Sequence, residues 1–521
     1  MSSRQSDAPT VRVAGEGARR LAAGSDADIV VAGPTGHPAL EPLLVASVDG
    51  EALLVPRATE GLCSTVVDVV DAGELPVVSD LDTDTVWTAE HDDPRTLPVP
   101  DAGPLATGVR YATARCGWAA PESVEAYRDW GVVAGTDPDT VVDRVADAGL
   151  LGRGRTDDAA DEAVADNWRL AREAAIDPVD PTTGQTDPVV VVNANEADHA
   201  VAGDTLLLES DPFAVLDGAL AVARAVGATD LVVYVGETAR TAADRANLAG
   251  EALASPLDDA PTVQVAAGPE TYTAGEPTMA IESLQGKERL EARRRPPGPA
   301  EWGLYGRPTL VHTPRTFAQV RALLAADEDE ADAKLGTSAD PGTRLVTVSG
   351  DVESTATVEL PTDASLSDAM AAVDPTESAK AYRVGGRFGG ITRRDSVPVG
   401  ANALSGADLG TAGGVELLGR SRCMLATIGE STAFAEDGNC GRCVPCREGS
   451  QQLANLLREV YNGEYDDGGI RELARVMRET SLCAFGRDAA RPVLTALSTF
   501  ENEVAAHADG RCPAGACEVG R

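Results

Sequence analysis

Cys440-Gly-Arg-Cys443-Val-Pro-Cys446 places three thiols at a C-x2-C-x2-C spacing, and a fourth, Cys483, follows after enough chain to cross two helices. Each iron of a [4Fe–4S] cube takes one thiolate, so a tight triplet plus a distant cysteine suits that cluster. A lone C-x2-C would decide little, because zinc knots and redox dithiols share it. The fuller set points to one-electron chemistry, with a zinc knot or free thiols as the alternative.

A second group lies around the first. Cys423 precedes the cluster loop, and His507, Cys512 and Cys517 form an H-x4-C-x4-C tail after the last apolar stripe. Three thiolates and one imidazole make a tetrahedral zinc set. So short a tail cannot bury a core, and a closed metal site would hold it in place. The alternative is a frayed tail with free thiols. Cys63 and Cys116 stand alone and read as small core residues.

The chain that must position these groups has 521 residues, enough for several domains. Acidic residues outnumber basic ones 83 to 44, for a formal charge of −39. Lysine is almost absent (Lys287, Lys334, Lys380), so arginine carries the positive charge. A surface this acidic needs salt to screen its self-repulsion, the habit of a halophile. It argues against nucleic acid as a partner. No apolar run reaches membrane-span length and the N-terminus has no signal-peptide core, so a cytoplasmic protein without membrane insertion is expected. Seven of the nine cysteines fall after residue 420, and in a reducing compartment such clustering favours metal over disulfides.

The pattern of apolar residues divides the chain. Residues 1–105 hold short strand-like runs at 28–32 and 42–48 and a helix near 64–72, a small α/β module, with a Pro-rich linker at 97–104. Residues 108–335 contain buried-strand runs at 187–193, 231–235 and 262–265 around a helix at 211–226, which makes a βαβ unit with parallel pairing. Residues 340–395 are strand-rich with a short helix at 365–373. Residues 400–521 carry three helical stripes, led by Leu453, Ile470 and Val493. Helix N-termini beside the cysteines would offer N–H donors to a negatively charged cube, and Arg442 and Arg447 add compensating charge. His199 and His312 are isolated and read as polar surface residues.

With these motifs in hand, the chain resembles the NADH-binding flavoprotein subunit of respiratory complex I and the diaphorase subunits of NAD(P)-linked hydrogenases. The loop matches S-C-G-x-C-x-P-C-R-E-G, with Asn439 for the leading serine, and Thr480-Ser-Leu-Cys483-Ala-Phe-Gly matches the second half. Arg115-Cys-Gly-Trp-Ala-Ala-Pro-Glu-Ser, Ala148-Gly-Leu-Leu-Gly152-Arg-Gly154, Gly303-Leu-Tyr-Gly-Arg-Pro-Thr and Gly385-Gly-Arg-Phe-Gly-Gly also match. The resemblance implies an FMN-binding α/β domain, a ubiquitin-like SLBB β-grasp domain and a helical iron–sulfur domain. In such proteins NADH gives hydride to FMN, and single electrons pass to the cluster and on to a redox partner subunit. Any enzyme activity would be that of an NADH:acceptor oxidoreductase.

The departures lie at the chemical centre. The family's flavin loop G-R-G-G-A-G-F-P-T-G is Gly152-Arg-Gly154-Arg-Thr-Asp-Asp-Ala here, and its lysine before a tryptophan is Asn167 before Trp168. Its N-A-D-E-G-E-P-G is Asn193-Ala-Asn195-Glu196-Ala-Asp-His-Ala, its Y-x-C-G-E-E-T-A is Tyr272-Thr-Ala-Gly275-Glu276-Pro-Thr-Met, and its V-N-N-V-E-T is Val311-His312-Thr313-Pro-Arg-Thr. Gly152, Gly154, Asn193, Asn195, Glu196, Gly275 and Glu276 are the expected contacts of FMN or NAD(H) if these are retained. Hydrogenase relatives carry a thioredoxin-like [2Fe–2S] domain with T-G-C-x-x-x-C…P-L-V. Gly33-Pro-Thr-Gly-His-Pro-Ala-Leu-Glu-Pro-Leu-Leu-Val falls there without a cysteine, so the module reads as degenerate and thioredoxin-like. Two readings stay open. One is an electron-transfer protein taking electrons from NADH or a protein donor. The other is a non-catalytic scaffold or sensor that keeps the cluster and has lost both nucleotides.

Overall fold

The structure, a computed structural model, describes residues 9–23, 29–179, 186–326 and 335–517. Asp28, the first residue of one expected strand, and the chain's two termini lie outside them.

The N-terminal module is a five-stranded sheet in the order Val30–Ala32, Thr10–Ala14, Leu43–Val48, Glu51–Val55, Trp87–Glu90. The first pair is parallel and the others antiparallel, as in a thioredoxin-like sheet with one added edge strand. Both faces of Leu43–Val48 are buried. One covers the helix Glu60–Val70. The other packs on Leu97, Leu105 and Trp118, so the segment read as a linker at 97–104 is part of this module's core.

The central domain is built on a parallel sheet in the order Thr262–Gly268, Asp230–Gly236, Val189–Ala194, Thr309–His312. Val189–Val192 are fully buried, the continuous apolar run of a sheet covered on both faces. The helices Pro212–Val226 and Pro314–Ala325 pack together on one face. Strand order reverses between Val189–Ala194 and Thr309–His312. The crevice beyond their carboxyl ends is where such sheets take ligands.

The β-grasp sheet runs Ala356–Pro361, Thr343–Gly350, Gly414–Gly419, Ala379–Val384, Gly390–Thr392. Its central strand, Gly414–Gly419, comes after residue 400, so the boundary expected at 395–400 is corrected to the end of that strand. It pairs parallel with Thr343–Gly350 and antiparallel with Ala379–Val384, and so joins the two halves of the sheet over one core.

Four long helices follow: Met424–Gly438, Val444–Tyr461, Asp467–Thr480 and Arg491–Ala508. The first has no expected counterpart. Gly429, Ser431 and Thr432 interrupt its apolar period, and burial of Leu425, Ile428 and Ala435 sets it. Among the described residues no helix is long and apolar enough to cross a membrane.

Candidate functional site

Cys443 caps the N-terminus of the 18-residue helix Val444–Tyr461, Cys446 sits in its first turn, and Cys483 caps the short helix Ala484–Asp488. With Cys440 they line one small cavity, closed by Met279, Ala292 and Phe485. Cys446 and Cys483 are buried, and Cys440 and Cys443 are half-buried. Burial pushes the Cys446 thiol well up, with the neighbouring cysteines adding. Burial and the Glu276 carboxylate take Cys483 up to about 12, against backbone N–H groups of Gly486 and Phe485. Thiols held this high bind metal only by releasing protons. Four sulfurs spaced around a cavity, beneath two helix N-termini, fit a [4Fe–4S] cube.

The second set is tighter. The ligand atoms of Cys423, His507, Cys512 and Cys517 all lie within 4.8 Å of one another. Cys423 Sγ is 3.2 Å from His507 Nε2, and His507 Nδ1 donates to the Glu503 carbonyl at 2.8 Å. That bond leaves the Nε2 lone pair facing the thiols, the usual second contact of a metal-bound imidazole. Spacing this short suits one ion, in contrast to the wider cavity at Cys440–Cys483.

The crevice at the strand-order reversal is filled by the loop 152–161. Asp157 is fully buried. Its Oδ1 accepts from His312 Nδ1 at 2.8 Å and from the Ala159 N–H at 2.9 Å. Its Oδ2 accepts from Thr316 Oγ1 at 2.7 Å and from the Thr313 N–H at 3.2 Å. Trp168 Nε1 donates to His312 Nε2 at 3.0 Å, which leaves the imidazole proton on Nδ1, facing Asp157. His312 is therefore a buried link between strand and loop, and its expected surface position is corrected. His199 is exposed.

The other expected contacts also meet here. Asn193 Nδ2 donates to the carbonyls of Thr156 and Gly275, both at 2.9 Å. Asn195 Nδ2 donates to the Pro269 carbonyl at 3.0 Å. Glu196 accepts from the N–H groups of Asp204 and Thr205 and lies 3.6 Å from Arg315, which pairs with Asp204 at 2.7 Å. Burial, reinforced by Asp204, raises the Glu196 carboxyl to about 7. Glu276 caps the helix Pro277–Leu284 and pairs with Arg295, which also holds Asp158. Arg153 reaches Asp340 at 2.5 Å, and Arg344 ties Asp340 to Asp161. Arg155 lies 3.6 Å over the ring of Tyr272, whose neighbours Phe388, Phe434 and Phe485 form an aromatic wall towards the cysteine cavity.

The comparisons with known proteins agree with this layout. One family model, the Nuo51 FMN-binding domain, matches residues 145–322, and another, the NADH-ubiquinone oxidoreductase-F iron-sulfur binding region, matches 426–507. The F subunit of the NADH-quinone oxidoreductase of Mycobacterium tuberculosis is 30% identical over 398 residues, covering 72% of this chain and 86% of that protein. The chain belongs to the family of NADH-quinone oxidoreductase F subunits. It is also 29% identical over 444 residues to the HndC subunit of the NADP-reducing hydrogenase of Solidesulfovibrio fructosivorans, covering 78% of this chain and 86% of the relative. A solved NAD+-reducing [NiFe]-hydrogenase in its H2-reduced state superposes with a TM-score of 0.67 at 25% identity, over 96% of this chain and 85% of that one. As a family member the chain carries the iron–sulfur binding region of an electron-transfer protein.

The FMN-binding domain has the family's fold, and the loop across its crevice departs from an open glycine cradle. A glycine cradle admits a phosphate because nothing else stands beside it. Here a Cβ on Gly152 would lie 2.3 Å from the Ala159 carbonyl oxygen, one on Gly154 2.4 Å from Arg315 Nη2, and one on Gly275 2.6 Å from the Asn195 carbonyl oxygen. The N-terminus of Pro314–Ala325, a ready anion site, is taken by protein groups: the Thr313 N–H donates to Asp157, the Arg315 N–H to Asp204 and the Thr316 N–H to Thr313 Oγ1. Thr156 Oγ1, Asn193 Oδ1 and Asn195 Oδ1 are buried without hydrogen-bond partners. The sequence shows Asp157 and Asp158 side by side in this loop but not that Asp157 pairs with His312. The only signal was that both depart from the family pattern together.

The N-terminal module follows the same rule. The two cysteine positions of T-G-C-x-x-x-C are His37 and Glu41. Glu41 accepts from Thr35 N and Oγ1 and from the Glu16 N–H, bridging the two loops.

Proposed function

We propose that this chain is a one-electron relay that exchanges electrons with partner proteins at its [4Fe–4S] site, without flavin or NADH. The observation that carries the reading is the Asp157 carboxylate seated on the helix N-terminus of the nucleotide crevice, with its four hydrogen bonds satisfied by the protein itself. Cys440, Cys443, Cys446 and Cys483 would hold the cluster, which supplies one-electron chemistry. Met279, Ala292 and Phe485 keep water from its inner face, and Cys440 and Cys443 leave its outer face near solvent. A redox partner subunit, a cytoplasmic location and a salt-rich interior complete the proposal, supported by the relatives' names as subunits and by the acidic composition.

We further infer that Cys423, His507, Cys512 and Cys517 hold a structural zinc that pins the C-terminal tail to the helices. All four positions would be protein ligands, which leaves no open position for catalysis. The relay is tested by stopped-flow reduction of anaerobically prepared protein. Dithionite or a reduced ferredoxin should bleach the visible iron–sulfur absorption, and NADH should not. Rapid bleaching by NADH would overturn the flavin-free reading.

A further inference from the structure

A basic stretch of this acidic chain lies across the cluster loop. Lys287 to Arg295 holds five basic and two acidic residues, in a protein of formal charge −39. It borders an open groove of about 890 Å³ lined by Lys287, Arg294, Trp302, Tyr305 and Arg442. Arg442 also lines the cysteine cavity, so groove and cluster site adjoin. Arg289 Nη2 would stand 3.3 Å from a Cβ on Gly441, between Cys440 and Cys443.

Part of this charge is internally used. Arg293 pairs with Glu282 at 2.7 Å, Arg295 with Asp158, and Arg289 with Glu291 at 2.9 Å. Lys287 and Arg294 are exposed and form no ion pair with the described residues. Beside them Tyr305 is 65% exposed and holds a left-handed backbone at φ 53°, a strained state for a bulky residue. Trp302 is 37% exposed. Unpaired cations, exposed aromatics and local strain coincide at a face that adjoins the half-buried cluster cysteines.

Resting on the relay reading, we propose that this groove docks a small acidic electron-carrier protein. The chain as a whole is strongly acidic, so a basic face beside the cluster loop favours an acidic partner and sets where it lands. Trp302 and Tyr305 supply the apolar contact that long-range charge cannot. In the complex the carrier loses one electron and the [4Fe–4S] site gains one; no bond forms or breaks and no proton moves.

The probe is an acidic plant-type [2Fe–2S] ferredoxin, chemically reduced, mixed with the holoprotein under anaerobic conditions at several salt concentrations. Lys287→Glu with Arg294→Glu should cut the second-order rate about tenfold or more at 0.3 M salt, with the gap closing as salt rises. Tyr305→Ala should weaken the complex, read by sedimentation, with little change in salt dependence. The electron paramagnetic resonance spectrum after dithionite reduction should match the parent's in all variants. Equal rates and equal salt slopes for parent and double variant would overturn the docking site. So would displacement of ferredoxin by NADH, which would make the groove a dinucleotide site, or an altered cluster spectrum, which would make these cations supports of the cluster. Failure of ferredoxin to reduce the parent at any salt, while dithionite does, would instead remove the relay reading.

Discussion

Replacing Asp157 by alanine removes the acceptor for four donors at once: His312 Nδ1, Thr316 Oγ1 and the N–H groups of Ala159 and Thr313. A single buried donor left without a partner costs about 1–3 kcal/mol. At the lower bound, four such donors cost about 4 kcal/mol. The expected loss is therefore about 4 kcal/mol for Asp157→Ala. Asp157→Asn should lose about 2 kcal/mol, because its amide keeps one acceptor and turns a donor towards groups that also donate. For a domain of this size, each kcal/mol lowers the midpoint by about 2–4 °C, so the central domain of the alanine variant should melt about 8–16 °C earlier. Calorimetry reads the shift, and tryptophan emission reads the site, since Trp168 is fully buried against His312. A variant that melts within about 3 °C of the parent, or whose emission is unmoved, would refute the argument that this carboxylate holds the crevice shut.

Three further outcomes follow from the geometry. Cys483→Ser removes the distant ligand and should leave a protein with less than half the parent's iron by elemental analysis, and retention of full iron would exclude Cys483 from the cluster. Cys512→Ser should abolish the chelator-resistant zinc seen by native mass spectrometry and expose the tail to trypsin at Arg511, while parent protein without zinc would count against the site. Glu196 protonates near 7 in the folded chain against about 4.5 when unfolded. The folded state thus holds this proton between those values, and the group's contribution to stability falls as pH rises through that window. Relative to the parent, Glu196→Gln should show a flatter decline of melting temperature between about pH 4.5 and 7; parallel curves would contradict it.

How much of this was legible in the sequence depended on whether the signal was local. The cysteine triplet, the βαβ strands and the three amphipathic helices announce themselves by spacing and period. Their ends moved by a few residues, and the helix Ala484–Asp488 slipped between Cys483 and the last stripe unannounced. Gly414–Gly419 is a central strand only because Thr343–Gly350 and Ala379–Val384 leave an edge on each side of it. No window around 414 carries that information. The crevice shows the same limit. Gly152, Gly154, Asn193 and Gly275 survive from the family pattern and do converge, yet what they face is decided by Asp157, Arg315 and His312, from three distant segments. A lone histidine before a helix has no sequence mark that separates a buried strut from a surface residue.

The account stands on an iron–sulfur site without a flavin beside it, and cofactor stoichiometry tests that directly. Protein purified without air in high salt should contain about four irons per chain and no FMN in its acid extract. An extract with one FMN per chain, or a colourless preparation lacking iron, would contradict it.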